Sequence, residues 1–287
     1  MARLRTYRAS LQEKSQESPK DGAQCHLQPY FTPIEYQTPR TSAPLTSQNF
    51  LSMFLLALAT LGLPLPPPYV ALNSSEGFRI LSDSAVERSS YLQAIVHLVT
   101  QEDEGSCFRA SASIVLNALE QPAPVDEKYL HPKPYPYWTQ DAFVNISCVK
   151  ANCSGTTPYP HCIGVSLDVA AKALSCVAGI DVHAMHARDP DLSSAADLRT
   201  LLKTTVGTGG ANAYVIANFH GDEMGLNHFG HYSPVVAYAP ASDMALVLDV
   251  SRFKYVPWWA PVELLWKGVD TADSVGIRRG VMAVRQK

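Results

Sequence analysis

The tightest constraint on this chain is a hairpin near its C-terminus. Residues 232–239 (YSPVVAYA) and 244–250 (MALVLDV) are apolar and rich in β-branched side chains, and only Pro240-Ala241-Ser242-Asp243 separates them. Runs of that length and composition read as strands, and a turn so short joins them antiparallel. A third run, 213–219 (AYVIANF), extends the pattern. Upstream the period changes. Residues 107–120 (CFRASASIVLNALE) lack Gly and Pro and place Ala110, Ile114, Val115, Ala118 and Leu119 on one face. That spacing predicts a helix with Cys107 in its first turn, ended by Pro122 and Pro124. Helical spacing also runs through 76–100, at Phe78, Leu81, Ala85, Tyr91, Ile95 and Leu98. Further helices are expected around 165–176 and 194–204, the second capped by Ser193 or Ser194. Residues 121–164 carry seven prolines and read as an irregular surface excursion. Helices first and an antiparallel sheet afterwards define an α+β class.

The chain of 287 residues is 46% hydrophobic and 17% charged, enough to bury a sizeable core. A net charge of −3 argues against a nucleic-acid partner, which calls for a basic surface. The first 49 residues are rich in Ser, Gln, Thr and Pro and show no apolar period, so residues 1–69 are read as a flexible extension and 70–287 as one domain. Within the extension, the apolar run 50–63 (FLSMFLLALATLGL) is shorter than the roughly 20 residues of a membrane span. An export signal, an anchor or a helix packed on the domain all fit it. The compartment therefore stays open, with the cytoplasm favoured over anchoring or export.

Chemistry concentrates on Cys107, His231 and Asp249. A cysteine at a helix start is expected to have a lowered pKa, because the dipole and free N–H groups favour the thiolate. A base must take the thiol proton, and a third group must fix that base's tautomer. A turn centred near residue 241 sets Asp249 opposite residue 233, and His231 lies two positions along on the same face. An aspartate closing the apolar run MALVLD is costly to bury without such a partner. Gln101, six residues before Cys107, is positioned to donate to an oxyanion. Each residue alone has a structural reading; the combination points to a thiol nucleophile.

The stretch QEDEGSCFRASASIVLNAL (101–119) resembles the nucleophile segment of the phytochelatin synthases, the glutathione γ-glutamylcysteinyltransferases. The segment HFGHYSPVVAYAPASDMALVLDVSRFKYVPWWAPVELLW (228–266) resembles their second signature, and RRGVMAV (278–284) their closing strand. The resemblance implies a papain-like fold with Cys107 as nucleophile, His231 as base, Asp249 as orienting carboxylate and Gln101 at the oxyanion. It implies that Asp273 and Arg279 hold the γ-glutamyl head, with Arg252 and Lys254 as candidate guides for the acceptor. The implied partners are glutathione and phytochelatins, with a second copy of the chain left open. No organic cofactor is implied. The resemblance implies a heavy-metal ion, Cd²⁺ or Zn²⁺, as activator, mainly as its glutathione thiolate complex.

Two departures stand out. Phe108 replaces the glycine usual after the nucleophile and is expected to narrow the donor pocket. Gly221 stands where plant relatives carry an arginine for the second substrate, which raises the case for glutathione hydrolysis to γ-glutamylcysteine and glycine. Cys148, Cys153, Cys162 and Cys176 match no zinc spacing. They are weak metal candidates, and they keep open a third reading, a metal-binding protein with little catalysis.

Overall fold

The computed structural model describes residues 62–125, 135–154, 162–207 and 212–287. All belong to one unit, Leu58–Lys287. Residues 1–61, which hold most of the extension and of the apolar run, lie outside the described residues, whereas Tyr69 is buried and donates to Met224 O (2.6 Å). Among the described residues, no helix is long and apolar enough to cross a membrane.

One seven-stranded sheet organises the unit, in the order β1-β6-β5-β4-β3-β7-β2 with every pair antiparallel. The strands are β1 (Val70–Ala71), β2 (Ile180–His186), β3 (Ala213–His220), β4 (Gly230–Ala239), β5 (Met244–Val247), β6 (Trp258–Pro261) and β7 (Gly280–Gln286). The helices are α1 (Ser75–Leu81), α2 (Tyr91–Ile95), α3 (Cys107–Ala118), α4 (Gln140–Val144), α5 (Ser147–Cys153), α6 (Leu167–Leu174), α7 (Ala195–Val206) and α8 (Val262–Val269). Helices mixed with an antiparallel sheet make this the α+β class expected.

Alternation along the strands gives the sheet two apolar faces. Tyr214, Ile216, Tyr232 and Leu246 face α3 and the small helices around it, whereas Val215, Phe219, Val235, Val247 and Trp258 face α7 and α8. All of α3 is buried, its polar residues included. Asn117 exchanges two hydrogen bonds with the Trp138 backbone (2.9 and 3.0 Å), which lets it sit inside.

Three sequence expectations need correction. The helical spacing through 76–100 resolves into two short helices with a non-helical link, and Phe78 and Leu92 are exposed. Polar residues 82–84 and 87–90 interrupt the path; Arg88 Nη1 donates to the carbonyls of Leu81 (2.6 Å) and Asp83 (2.9 Å). The excursion 121–164 contains α4 and α5, and Phe143, Val144 and Val149 are buried within it. β2, whose sequence IDVHAMH is an edge strand with three polar residues, gave no apolar period to read.

The third correction concerns the cysteines. Cys148 pairs with Cys176 and Cys153 with Cys162 as disulfides, with Cα–Cα distances of 5.8 and 4.9 Å. Pairing removes the thiolates that metal binding requires, so these four positions are not metal ligands in this state. The first bridge ties α5 to the end of α6, and the second clips the chain between them. Alkylation of the unfolded protein without reductant should modify Cys107 and spare these four, as read by peptide mass spectrometry. Reduction should lower stability by about 3 kcal/mol per bridge, measured by chemical denaturation.

Candidate active site

Local polar contacts fix where α3 starts. Asp103 Oδ1 accepts from Gly105 N–H (2.9 Å), and Ser106 N–H bonds to Asp103 O (3.1 Å). Gly105 is required by close approach, because a Cβ there would lie 2.3 Å from Ile163 Cγ2. Buried Arg109 reaches back from the first turn to Ser106 Oγ and to Asp103 Oδ2, the latter at 3.2 Å. Ser111 Oγ lies 2.8 Å from Cys107 O and 3.1 Å from Tyr232 O, bonding the helix to β4.

Cys107 is the one free cysteine among the described residues, and it is buried. Burial pushes its thiol up to about 11, although backbone N–H groups of Tyr232 and Phe108 pull the other way. The expected dipole-lowered thiolate is therefore overturned: desolvation outweighs the helix start, and the resting group is a neutral thiol. Phe108 does not line a pocket either. Its ring is turned into the core, 5.6 Å from Phe143 and 5.5 Å from Tyr232.

A bulge in β4 decides which face Asp249 joins. Near the turn Ala239 pairs with Met244 and Ala237 with Leu246, but beyond Val236 the register slips so that Val235 pairs with Val247. Leu248 N–H bonds to Pro234 O (2.9 Å), which continues the slipped register and sets residue 233 opposite Asp249. Without the slip, Asp249 would face away from His231.

Asp249 is fully buried and accepts four hydrogen bonds: His231 Nε2 (3.1 Å) and Ser251 N–H (2.8 Å) on Oδ1, and His228 Nε2 (3.0 Å) and Trp258 Nε1 (2.9 Å) on Oδ2. Burial alone would raise its carboxyl, but the two imidazoles and their hydrogen bonds reverse this and hold it well below the usual carboxylate range. An ionised carboxylate only accepts, so Nε2 of both rings carries hydrogen, and the free lone pair of a neutral His231 is at Nδ1. Burial also lowers the His231 pKa, partly offset by Asp249. Ser233 Oγ, 3.0 Å from His231 Nε2, steadies the same edge of the ring.

Gln101 is buried, and its N–H bonds to Val250 O (2.8 Å), beside Asp249. Its Nε2 donates to Asp103 O (2.7 Å), which leaves a second amide hydrogen, while Oε1 is buried without a partner. Arg279 is buried, donates from Nη1 to Asn218 Oδ1 (2.9 Å), and has no partner for Nε. Gly230 makes room for it, since a Cβ there would sit 2.8 Å from the guanidinium. Asp273 Oδ1 instead accepts from Val275 N–H (3.0 Å) and Ile277 N–H (2.9 Å) in the loop before β7. Lys254 is engaged by Glu104 (2.8 Å), and Arg252 is exposed in the turn after Asp249.

Sequence reasoning missed His228, Trp258, Ser233, Ser111 and Arg109. The readable signal was a second histidine three residues before His231 in a chain with one carboxylate nearby. Nitrogen and oxygen atoms of His228, His231 and Asp249 lie within 4.8 Å of one another, a spacing able to hold a cation. The imidazole nitrogens facing Asp249 already donate to it, so the cluster is complete as a hydrogen-bond network.

These features define an α+β domain that carries a buried thiol at a helix start and a histidine–carboxylate cluster on the adjoining sheet. The sequence profile described as Phytochelatin synthase matches residues 61–281, and the chain belongs to that family. It is similar to "Glutathione gamma-glutamylcysteinyltransferase 1" of Triticum aestivum, 30% identical over 227 residues, covering 77% of this chain and 41% of that protein. The protein of the same description in Arabidopsis thaliana is 29% identical over 225 residues, 76% of this chain and 42% of its own length. A more distant relative, "Glutathione gamma-glutamylcysteinyltransferase" of Schizosaccharomyces pombe, is 23% identical over 229 residues, 73% of this chain and 47% of its own. The chain thus spans less than half the length of these relatives.

The depressed Asp249 carboxyl makes a stability prediction. Its contribution is present in full above the unfolded pKa near 3.9 and is lost as pH falls below it. Asp249→Asn should cost on the order of 3 kcal/mol at pH 7 and flatten the acid dependence below about pH 4. Denaturant unfolding at the two pH values reads both effects.

Proposed function

We propose that this chain is a glutathione γ-glutamylcysteinyltransferase that makes phytochelatins through a thioester on Cys107, in heavy-metal detoxification. One observation carries the reading. In a member of the phytochelatin synthase family, the Cys107 thiol meets the backbone N–H of Tyr232, directly after His231, and His231 is bonded through Nε2 to ionised Asp249. The order and roles are those of a papain-like arrangement.

The neutral thiol and neutral imidazole imply that proton transfer accompanies attack. Sγ adds to the carbonyl carbon of the Cys–Gly peptide of glutathione while His231 Nδ1 takes the thiol proton. The oxyanion draws on the free Gln101 amide hydrogen. On collapse the imidazolium gives its proton to the glycine amine, which leaves. The α-amine of a second glutathione or a phytochelatin then attacks the γ-glutamylcysteinyl thioester and His231 takes the amine proton; collapse forms the amide, breaks the C–S bond and returns that proton to Cys107 Sγ, restoring the thiol. Arg279 suits the γ-glutamyl carboxylate because its buried guanidinium holds only a neutral partner, Asn218. Asp273 suits the ammonium, and exposed Arg252 suits the acceptor better than Lys254, which Glu104 engages. Cadmium or zinc enters with substrate, as its glutathione thiolate complex.

Hydrolysis is the second reading, and Gly221 favours it. A Cβ at Gly221 would lie 2.4 Å from His228 Cβ, so this backbone does not admit the arginine of plant relatives. The metal-binding reading loses its support once the four cysteines are paired.

Glutathione at millimolar concentration with Cd²⁺, products read by mass spectrometry, tests the proposal. Oligomers of γ-glutamylcysteine ending in glycine are expected, and Cys107→Ala should lower glycine release by about 10³-fold or more. γ-Glutamylcysteine and glycine alone would favour the hydrolase; no glycine release overturns both. Arg279→Lys should raise KM about tenfold with little change in kcat, because a point charge replaces a planar fork. The lowered His231 pKa keeps the base neutral at pH 7, so kcat/KM should rise from acid pH to a plateau by about neutrality. A rate that climbs toward pH 5 contradicts the assignment.

A further inference from the structure

His228 has no part in the reaction as written, yet it is the most closely engaged neighbour of the base. Its ring stacks on His231 with centroids 4.1 Å apart and planes 5° from parallel, and both rings donate to the one carboxylate. The fold holds it there. Gly221 N–H bonds to Phe229 O (3.0 Å), Asp222 N–H to His228 O (2.8 Å) and His228 N–H to Leu226 O (2.9 Å), so the loop between β3 and β4 folds back on itself. Only a glycine at 221 leaves room for His228 in that fold. Phe219 meets both rings edge-on, and Tyr255 meets His228 with centroids 5.2 Å apart.

We propose that His228 is a positioning residue for His231: stacked on it and sharing Asp249, it takes up part of the carboxylate and so keeps the base available into mildly acidic solution. The inference rests on His231 being the base, as proposed above. Its physics is a division of charge. Each Nε2–H takes part of the carboxylate, so a proton arriving on His231 gains less from Asp249 than in a simple pair, and it would sit against a second imidazole. The other charged group that bears on His231 is Lys254 from the segment after β5, and Tyr255 of the same segment meets His228. Lys254 opposes protonation of His231 in the same sense as His228. Losing His228 therefore returns the whole carboxylate to His231 and moves its protonation to higher pH.

The test needs no substrate. Alkylation of Cys107 by iodoacetamide is followed from pH 5 to 9 on the Cys107 peptide by mass spectrometry, in the full chain and in His228→Phe and His228→Asn. Phe keeps a stacked ring without the N–H; Asn keeps a donor without the ring. Circular dichroism and the melting temperature confirm folding. Expected is an acid limb in the parent whose midpoint rises by about one pH unit in both variants, a roughly tenfold slower reaction near pH 5.5, with rates near parent at pH 8. Gly221→Ala, which forces His228 away, should give the same displacement. An unmoved midpoint, or equal loss at every pH, overturns the positioning role alone. A parent with no acid limb overturns the base assignment itself, and this inference with it.

Discussion

A carboxylate with no exposure is the constraint from which much of this molecule follows. Burying Asp249 ionised costs several kcal/mol unless its lone pairs are filled. Four donors fill them, and they arrive from the β3–β4 loop, β4, the backbone at Ser251 and β6. Each donor in turn demands something of the chain around it. His228 requires the glycine at 221, and Trp258 requires β6 to pair beside β5. His231 requires Asp249 to share its face, which the bulge at Val236 arranges. The sheet order and the irregularities in it are thus tied to one charge.

That bulge also explains how far the sequence could be read. A turn centred near residue 241 paired Asp249 with residue 233, and the structure has that register at the site. Near the turn the register is one residue off, since Ala239 pairs with Met244, and the bulge at Val236 absorbs the difference. The face of Asp249 was legible since apolar alternation records which residues are buried; the bulge was not, since both Val235 and Val236 are apolar. The helix at Cys107 was legible for the same reason, being twelve residues long without a breaker. Short pieces were not. Two helices of seven and five residues look like one period when the polar link between them is brief.

The cysteines mark another limit. Spacing says whether a zinc module fits, but pairing depends on which helices the fold brings together, and α5 and α6 both pack into the core, where Val149 and Leu174 are buried. Likewise Phe108 looked intrusive beside a nucleophile because sequence gives the residue and not its direction. On α3 it points between Phe143 and Tyr232, and Arg109 points back to the loop that sets the helix start. Substitutions that seemed to narrow the site are better understood as packing and pinning its base.

A neutral resting thiol suits the chemistry proposed for it. A thiolate is the form that attacks disulfides and oxidants, and its exposure sets how often it does so. If the substrate is glutathione, the site opens to a pool that always holds some oxidised glutathione, and an ionised Cys107 would be drawn into mixed disulfides between turnovers. In the proposed mechanism, desolvation would keep Cys107 protonated until a carbonyl is in place to accept the sulfur and the base to accept the proton. The same burial that raises the thiol lowers the imidazole, so in that mechanism the ion pair would form only with the new bond. In that mechanism Asp249 would stabilise the imidazolium at the moment it appears. Its charge is fixed beforehand by donors that do not depend on substrate, so little reorganisation is needed during the step.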